Sequence, residues 1–338
     1  MSTPLRGGVF GFGGVGQGMT NQINRLGWHG KDVRIVAACN RGQEKRDLAQ
    51  KEYGLAAVDN VDALIRHGID FMLIVSTSSA HREAAVKCAR AGIPYLIEKP
   101  IALTVEDARD IVEETERAGV INAVNYSMRY RPVYLKMKEM AGSGQLGEIL
   151  SVWASVSRGH GWYSSGRRHR AIVEPGESGG WIVHHMCHIV DFAIWVAGAV
   201  EEVYALTRTT APASLDSEEI IFATLSFRNG AIGTLWDQIG MLRDHTAGIT
   251  GTRGGVAEML DGVKPLLKVS YETDIEFRPP HIMDPEDGIK AEEGLGHFLR
   301  CLREGRQTNV PVREALYSLT VCHAIRQSAR EHRPVKVG

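Results

Sequence analysis

Three glycines near the amino terminus, Gly11, Gly13 and Gly16, follow a short apolar strand that includes residues 9–10. A helical pattern follows them over residues 17–26. The G-x-G-x-x-G spacing permits a tight turn, lets the backbone approach a pyrophosphate and directs the amino end of the next helix at the anion. The segment therefore predicts a dinucleotide-binding turn, and a flexible glycine-rich turn is the alternative.

Strand and helix patterns then alternate as far as residue 124. Apolar runs predict strands at 33–38, 71–75, 93–97 and 121–124, and helices are predicted at 43–53, 80–91 and 104–119. The last helix begins with a capping-box pattern, Thr104 followed by Asp107. Alternation with nearly continuous apolar strands predicts an α/β fold with a parallel, doubly wound sheet of the Rossmann type.

The tripeptide Glu98-Lys99-Pro100 ends the apolar run 93–97. Open α/β sheets bind ligands in the crevice at the carboxyl ends of their strands, so Lys99 is predicted to point into a ligand site. A solvated loop lysine is the alternative interpretation.

The second predicted strand ends in Asn40-Arg41, where an NAD-binding fold usually has an acidic residue for the ribose 2′-hydroxyl. Without that carboxylate nothing repels a 2′-phosphate, and Arg41 can pair with the phosphate or stack on adenine. The residues predict NADP as the cofactor. NAD remains the alternative, with Asn40 hydrogen-bonding an unphosphorylated ribose.

The chain has 338 residues, which suits two domains, and a formal net charge of -1. Balanced charge argues against nucleic acid or an anionic membrane and favours a small-molecule ligand. With no signal-peptide pattern, a cytoplasmic protein is expected. The five cysteines are scattered without a C-x-x-C pair, so we expect buried, reduced thiols, with no disulfide framework and no cysteine zinc site.

The glycine turn and Glu98-Lys99-Pro100, together with the segments 125–132, 144–149 and 333–337, resemble the Gfo/Idh/MocA oxidoreductase family over essentially the whole chain. The resemblance implies a dinucleotide-binding Rossmann domain, 1–124, and a substrate-binding and oligomerisation α/β domain, 125–338, with a large, mostly antiparallel sheet. By analogy, a homodimer or homotetramer is expected.

The second half agrees with that expectation. Strands are predicted at 149–157, 203–209, 219–227, 231–238, 255–259 and 266–271, and helices at 133–140, 291–304 and 312–331. Asn229-Gly230 forms a hairpin turn between two of these strands.

A histidine-rich segment, 179–191, carries the second group of candidate catalytic residues. On a helix, His184, His188 and Asp191 lie at i, i+4 and i+7 on one face. The family has two glycines, an Asp, a His four residues later and an Asp three beyond, so His184 replaces the first Asp.

The resemblance implies that Lys99 and His188 flank the reacting carbon, with His188 as general base and Lys99 binding the substrate oxygen. His184 relays a proton, binds a sugar hydroxyl or serves as the base itself. Zinc is an alternative, because His184 and His188 have helical ligand spacing, but no metal is predicted. His185 is interpreted as a core or hydrogen-bonded histidine that points away from His188.

The predicted site residues fall into two groups. The predicted cofactor-binding residues are Gly11, Phe12, Gly13, Gly14, Val15, Gly16, Asn40, Arg41, Ser76, Thr77, His81, Glu98 and Lys99. The predicted substrate-binding residues are Lys99, Tyr126, Arg129, Arg158, His160, Trp162, Tyr163, His184 and His188. The polar and aromatic loop 158–170 either closes over a sugar or forms a solvated arm or subunit contact.

These residues predict an NAD(P)-dependent sugar or polyol dehydrogenase that works by reversible hydride transfer. Two alternatives remain open at this stage. One is a glycosidase or epimerase that keeps its cofactor and reduces it only transiently, and the other is a non-catalytic dinucleotide or sugar sensor.

Overall fold

A computed structural model describes residues 4–158, 175–209, 218–239, 244–261, 264–271, 281–286 and 293–338. The chain divides into two compact units. The first unit contains residues 1–126 and 293–316, and the second contains 127–292 and 317–338.

The helices and strands are numbered in chain order. The strands are β1 Leu5–Phe10, β2 Val33–Cys39, β3 Ala56–Val58, β4 Phe71–Ile74, β5 Tyr95–Ile97, β6 Asn122–Val124, β7 Ile149–Arg158, β8 Val200–Arg208, β9 Ile220–Phe227, β10 Ile232–Ile239, β11 Asp244–Gly251, β12 Gly254–Asp261, β13 Lys264–Tyr271, β14 His281–Met283 and β15 Val335–Lys336. The helices are α1 Gly14–Asn24, α2 Gln43–Tyr53, α3 Val61–Arg66, α4 His81–Arg90, α5 Val105–Ala118, α6 Pro132–Gly142, α7 Pro175–Ser178, α8 Cys187–Ala197, α9 Gly294–Glu304 and α10 Val312–Glu331.

The first unit is built on a six-stranded parallel sheet in the order β3-β2-β1-β4-β5-β6. This order is that of the doubly wound dinucleotide-binding fold, whose ligand crevice opens where the order reverses, between β1 and β4. The predicted Rossmann sheet is therefore confirmed. The predicted capping box is also present, since the Thr104 Oγ1 atom accepts the Asp107 N–H at 3.1 Å and begins α5.

By its contacts the segment 293–316 belongs to the first unit, whereas the sequence predicted a division into 1–124 and 125–338. Helix α9 buries Leu295, Phe298 and Leu299 in the core of the first unit. The rings of Phe298 and Phe71 meet edge to face with centroids 6.1 Å apart. Burying these three large apolar side chains against the Rossmann core is favourable, whereas exposing them to water would forgo that free energy.

The second unit is built on a nine-stranded sheet in the order β14-β13-β12-β11-β7-β10-β9-β8-β15. Among the described residues of this sheet, β7 and β10 pair in parallel and the other neighbours pair antiparallel, which confirms the mostly antiparallel sheet that the resemblance implied. Helices α6 and α8 pack on one face of this sheet. Strand side chains alternate between the two faces of a sheet, so every second residue of these strands points toward the helices.

One helical run, Gly176–Ala197, is long and apolar enough to cross a membrane, and 78% of its apolar window is buried inside the protein. Such burial is typical of a core helix, which accounts for its composition.

The five cysteines are all free and buried. Burial raises the pKa of the Cys39 thiol to about 12. The predicted burial of the thiols is confirmed, and the raised pKa keeps Cys39 protonated at neutral pH.

The assignment of α9 to the first unit predicts the effect of Phe298→Ala. Removing this fully buried ring should cost about 3–5 kcal/mol of local stability, because a cavity replaces the ring. Hydrogen exchange measures the effect, and protection should fall in β4 and β5 while β9 and β10 keep theirs. Leu26→Ala, which truncates an exposed side chain of the same unit, should change little. Loss of protection confined to β9 and β10 would contradict the assignment.

Candidate active site

The glycine turn after β1 has the geometry of an anion cradle. Gly11 has a positive φ of 103°, and a Cβ there would lie 2.5 Å from the Ser76 Cα. A Cβ on Gly16 would lie 2.4 Å from the Gly11 carbonyl oxygen, so both positions require glycine. Gly13 precedes α1 without a side-chain cap, and the first turn of α1 has no acidic residue. The amino end of α1 therefore fits the pyrophosphate of a dinucleotide.

The apolar residues of this turn differ in what they offer a dinucleotide. Phe12 is 1% exposed and packs edge to face on Tyr53 with ring centroids 5.0 Å apart. Its carbonyl accepts the Gln17 Nε2–H at 3.1 Å. Phe12 can thus contact a cofactor only through its backbone, whereas the Val15 side chain is 49% exposed.

The turn after β2 is contacted by a second arginine, Arg46 of α2, that the sequence reasoning did not select. The Arg46 Nη1 atom donates to the Asn40 carbonyl at 2.8 Å and to the Arg41 carbonyl at 2.6 Å. The Asn40 Oδ1 atom accepts the Gly42 N–H at 2.9 Å. Arg46 therefore braces the turn and adds a second guanidinium beside the exposed Arg41.

The loop after β4 holds Ser76, Thr77 and the start of α4. The Ser76 Oγ atom donates to the Thr77 carbonyl at 3.1 Å, and the Thr77 and Ser79 hydroxyls lie 3.2 Å apart. Both predicted cofactor residues thus sit at the carboxyl end of a central strand, beside the glycine turn.

His81, a predicted cofactor-binding residue, is 1% exposed. Its Nδ1 atom lies 2.9 Å from the Pro100 carbonyl oxygen and its Nε2 atom 3.3 Å from the Ser76 carbonyl oxygen. Burial, aided by the charge of Lys99, lowers the pKa of His81 to about 4. His81 is therefore neutral at pH 7, so it can donate to only one of these two carbonyls, and it packs between the loops that follow β4 and β5.

Lys99 follows β5 and is half-buried. The neighbouring Glu98 carboxylate accepts the Lys99 backbone N–H at 3.2 Å and the Asn125 Nδ2–H at 2.6 Å. Burial raises the pKa of Glu98. Glu98 thus fixes the backbone that carries Lys99, and the Lys99-Pro100 peptide bond is cis.

His184 and His185 lie in a π-helical turn, Ile182–Met186, that leads into α8. This turn corrects the prediction of a regular helix through His184, His188 and Asp191, because each π turn contains an extra residue that rotates the side chains before it. Single π turns of this kind are frequent at functional sites. The Arg326 guanidinium donates to the Gly179 carbonyl and holds the start of this segment.

Arg129, a predicted substrate-binding residue, forms a buried ion pair. Its Nε and Nη2 atoms donate to the two Asp191 carboxylate oxygens at 2.8 Å each, and both side chains are buried. The Ser318 Oγ atom donates to the same carboxylate at 3.0 Å. Arg129 therefore anchors α8 in the core of the second unit through this ion pair.

Among the other predicted substrate residues, Tyr126 is 1% exposed. His160, Trp162 and Tyr163 lie outside the described residues. Of the remaining predicted substrate residues, His184 lies in the π turn, and Arg158, at the end of β7, contacts His185.

His185 joins a cluster that the sequence reasoning missed. Its Nδ1 atom lies 2.6 Å from the Asp237 Oδ2 atom, and the Arg158 Nε atom donates to its Nε2 atom at 3.1 Å. Its ring stacks on Trp181 with centroids 4.3 Å apart and lies edge-on to His188 at 6.2 Å. His185 is hydrogen-bonded as predicted, but it does not point away from His188, because residues three apart are neighbours on a helix.

The zinc alternative finds no ligand set in the part of the chain that the structure describes, where no group of three or more His, Cys, Asp and Glu side chains is arranged to hold a metal ion. Both ring nitrogens of His185 already have hydrogen-bond partners.

Proteins similar in sequence to this chain include dehydrogenases of a sugar and of a polyol. The D-apiose dehydrogenase of Paraburkholderia graminis is 26% identical over 96% of this chain and 88% of that protein. The inositol 2-dehydrogenase of Rubrobacter xylanophilus is 29% identical over 67% of this chain and 63% of that protein. The solved structure of levoglucosan dehydrogenase in complex with NADH and levoglucosan has the same fold, with a TM-score of 0.86, 19% identity and coverage of 99% of this chain and 100% of that chain.

Family models match both units. The GFO_IDH_MocA model, an oxidoreductase family with an NAD-binding Rossmann fold, matches residues 5–126. The GFO/IDH/MocA C-terminal domain model matches residues 134–257. Because these two matches span most of the chain, and the sheet order and glycine turn agree with them, the protein belongs to the GFO/IDH/MocA family of oxidoreductases.

Proposed function

We propose that this oxidoreductase transfers hydride between a nicotinamide dinucleotide and a CH–OH group of a sugar or polyol. The observation that carries the proposal is the glycine turn of Gly11 and Gly16, which fits a pyrophosphate in the same unit that presents Lys99 after β5. The relatives named above support the substrate class, because D-apiose, inositol and levoglucosan are all polyhydroxylated.

The proton chemistry is assigned to His188 and Lys99. When bound, the nicotinamide accepts hydride from the carbon that carries the substrate hydroxyl. The neutral His188 imidazole removes the hydroxyl proton, and it returns this proton in the reverse reaction. The Lys99 ammonium group binds the same oxygen and stabilises the negative charge that develops on it.

His184 stands where the family has an aspartate. We assign it a supporting role beside His188, in which its imidazole exchanges a proton with the substrate or hydrogen-bonds a hydroxyl. An imidazole can do either, because its pKa lies close to neutrality and each ring nitrogen can donate or accept.

We propose NADP as the preferred cofactor. Residues 40–43 contain no carboxylate, and Arg41 is exposed at the position that meets the adenosine ribose in this fold. Arg46 adds a second positive charge to the same turn. Two guanidinium groups favour a 2′-phosphate, with which arginine forms bidentate hydrogen bonds.

The outer face of the nine-stranded sheet is proposed as the contact between copies of this chain in a homodimer or homotetramer. Leu206, Phe222 and Trp236 are paired across β8, β9 and β10. Leu206 is 52% exposed and Phe222 49%, and Tyr204, in the adjacent row of the same face, is 38% exposed. Contiguous apolar surface of this kind marks an interaction site.

A cytoplasmic location is also proposed. Its support is the set of five free, buried thiols, which is the cysteine usage of a reducing compartment.

The proposed reaction predicts activity in a panel of aldoses, inositols and sugar acids, each assayed with NAD and NADP by absorbance of the reduced cofactor. Lys99→Ala should lower kcat by about 10²–10³-fold and His188→Ala by about 10²–10⁴-fold. Lys51→Ala, which removes an exposed lysine of α2, should leave both constants unchanged. Near wild-type turnover by Lys99→Ala would contradict the assignment, and product without net reduced cofactor would select the transient-redox alternative.

The cofactor proposal predicts a selective effect of Arg41→Ala. Loss of a charged hydrogen bond to the 2′-phosphate should raise KM for NADP roughly 10- to 100-fold and leave KM for NAD nearly unchanged. Arg34→Ala, which removes an exposed arginine at the opposite end of β2, is the matched control. A strong preference of the wild-type enzyme for NAD would overturn the proposal.

The oligomer proposal predicts that Phe222→Glu yields monomers, because it places a charge in the apolar row that a second copy covers. Light scattering coupled to size-exclusion chromatography measures the mass. Leu26→Glu, on an exposed side chain of the first unit, should leave the wild-type oligomer intact. A wild-type protein that is monomeric at micromolar concentration would sink this proposal.

A further inference from the structure

A buried carboxylate lies behind the histidine pair of the second unit. Asp237 is 0% exposed, and its two oxygens accept the Trp181 Nε1–H at 2.9 Å and the His185 Nδ1–H at 2.6 Å. In the parallel pairing of β7 and β10, Asp237 lies opposite Val156, and Ile239 lies opposite Arg158. Asp237 and Arg158 therefore point to the same face of the sheet, the face on which α8 packs.

The hydrogen bonds of His185 define its protonation state. A guanidinium group only donates hydrogen bonds, so the Nε2 atom that receives the Arg158 Nε–H at 3.1 Å must carry a lone pair. The ring proton is then on Nδ1, where the Asp237 carboxylate accepts it. His185 is thus a neutral imidazole whose tautomer is selected by Asp237 on one side and by Arg158 on the other.

We infer that Asp237 and His185 are positioning residues that hold Arg158 for substrate binding beside His188. The hydrogen bond from Nε fixes the plane of the rigid guanidinium group, which sets the direction of its remaining N–H donors. Because the His185 and His188 rings are 6.2 Å apart, this places Arg158 one imidazole away from the proposed base. The substrate group that suits it is a pair of oxygen acceptors, supplied by vicinal hydroxyls or by a carboxylate.

The substrate contact rests on the proposed function, whereas the tautomer of His185 does not. Arg158 is the group that touches substrate in this inference. Asp237 and His185 act only through it, because Asp237 is fully buried and both nitrogens of His185 are engaged.

The tautomer gives Asp237→Asn a specific consequence. An asparagine can still accept from Trp181 through its oxygen, but its amide group then donates toward the His185 Nδ1 atom. His185 must move its proton to Nε2 to accept that bond. The Nε2–H then opposes the Arg158 Nε–H, and two donors facing each other displace the arginine.

The kinetic test compares Arg158→Ala, Asp237→Asn and the double variant in the full-length enzyme saturated with NADP. Arg158→Ala should raise KM for the sugar roughly 10- to 100-fold with a smaller change in kcat. Asp237→Asn should reproduce that change, and the double variant should lose no more than either single variant. An aldose and its aldonate are assayed side by side to identify the group that Arg158 binds. A larger rise in KM for the aldose indicates vicinal hydroxyls, and a larger rise for the aldonate indicates the carboxylate.

Nitrogen NMR of ring-labelled histidine provides a readout that does not need turnover. The signal of His185, assigned by its loss in His185→Asn, should show protonated Nδ1 in the wild type and protonated Nε2 in Asp237→Asn. Glu258→Gln is the matched control, because Glu258 is a carboxylate beside His245 and Tyr134 in the same sheet. It should change neither the His185 signal nor KM for the sugar.

Three results would overturn the inference. The first is a wild-type His185 protonated on Nε2, and the second is an unchanged KM for the sugar in Asp237→Asn. Additive losses in the double variant would also reject the relay, because they require independent roles. If no sugar in the panel reacts, the proposed function fails, while the NMR result still decides whether Asp237 sets the tautomer of His185.

Discussion

The buried ion pair of Arg129 and Asp191 is the interaction on which the second unit depends most. It joins α8, which carries His188, to the turn that precedes α6, and Ser318 of α10 completes the set of donors. A buried pair of this kind adds little net stability, but removing one partner strands a charge at a cost of about 3–5 kcal/mol. This ion pair positions α8 and with it His188. Because losing one partner is costly, a substitution of Arg129 or Asp191 requires a matching substitution of the other residue.

Buried imidazoles serve as connectors in both units. In the first, His81 is kept neutral by burial and packs between the loops that follow β4 and β5, and so supports the backbone next to Lys99. In the second, His185 is kept in one tautomer by Asp237 and joins the helix side of the site to Arg158 at the end of β7. A histidine next to a proposed catalytic residue is therefore not catalytic by position alone. The groups that bind its two ring nitrogens decide whether it has a structural or a chemical role.

Periodicity and local motifs predicted most of the fold, because those signals are contained in short stretches of sequence. Helix α2 and helix α10 have the predicted bounds, and the Thr104 cap begins α5 as expected. The short β3 and α3 were missed, as was β11, whose Asp244–Gly251 sequence alternates weakly. The return of α9 to the first unit was also missed, because its packing partner Phe71 is distant in sequence.

The candidate site was predicted only as far as its motifs extend. Arg129 and Tyr126 lie next to a motif, yet tertiary packing buries them, and proximity in sequence carries no information on burial. Asp237 was not found because it is 52 residues from His185 and meets it only where the π turn packs on β10. Where the family has a carboxylate on the helix, this chain has imidazoles, and the sheet supplies a carboxylate behind the second of them. The family's carboxylate at position 184 is thus absent here, and the buried carboxylate is Asp237 of β10. In our inference Asp237 orients His185 and, through it, Arg158.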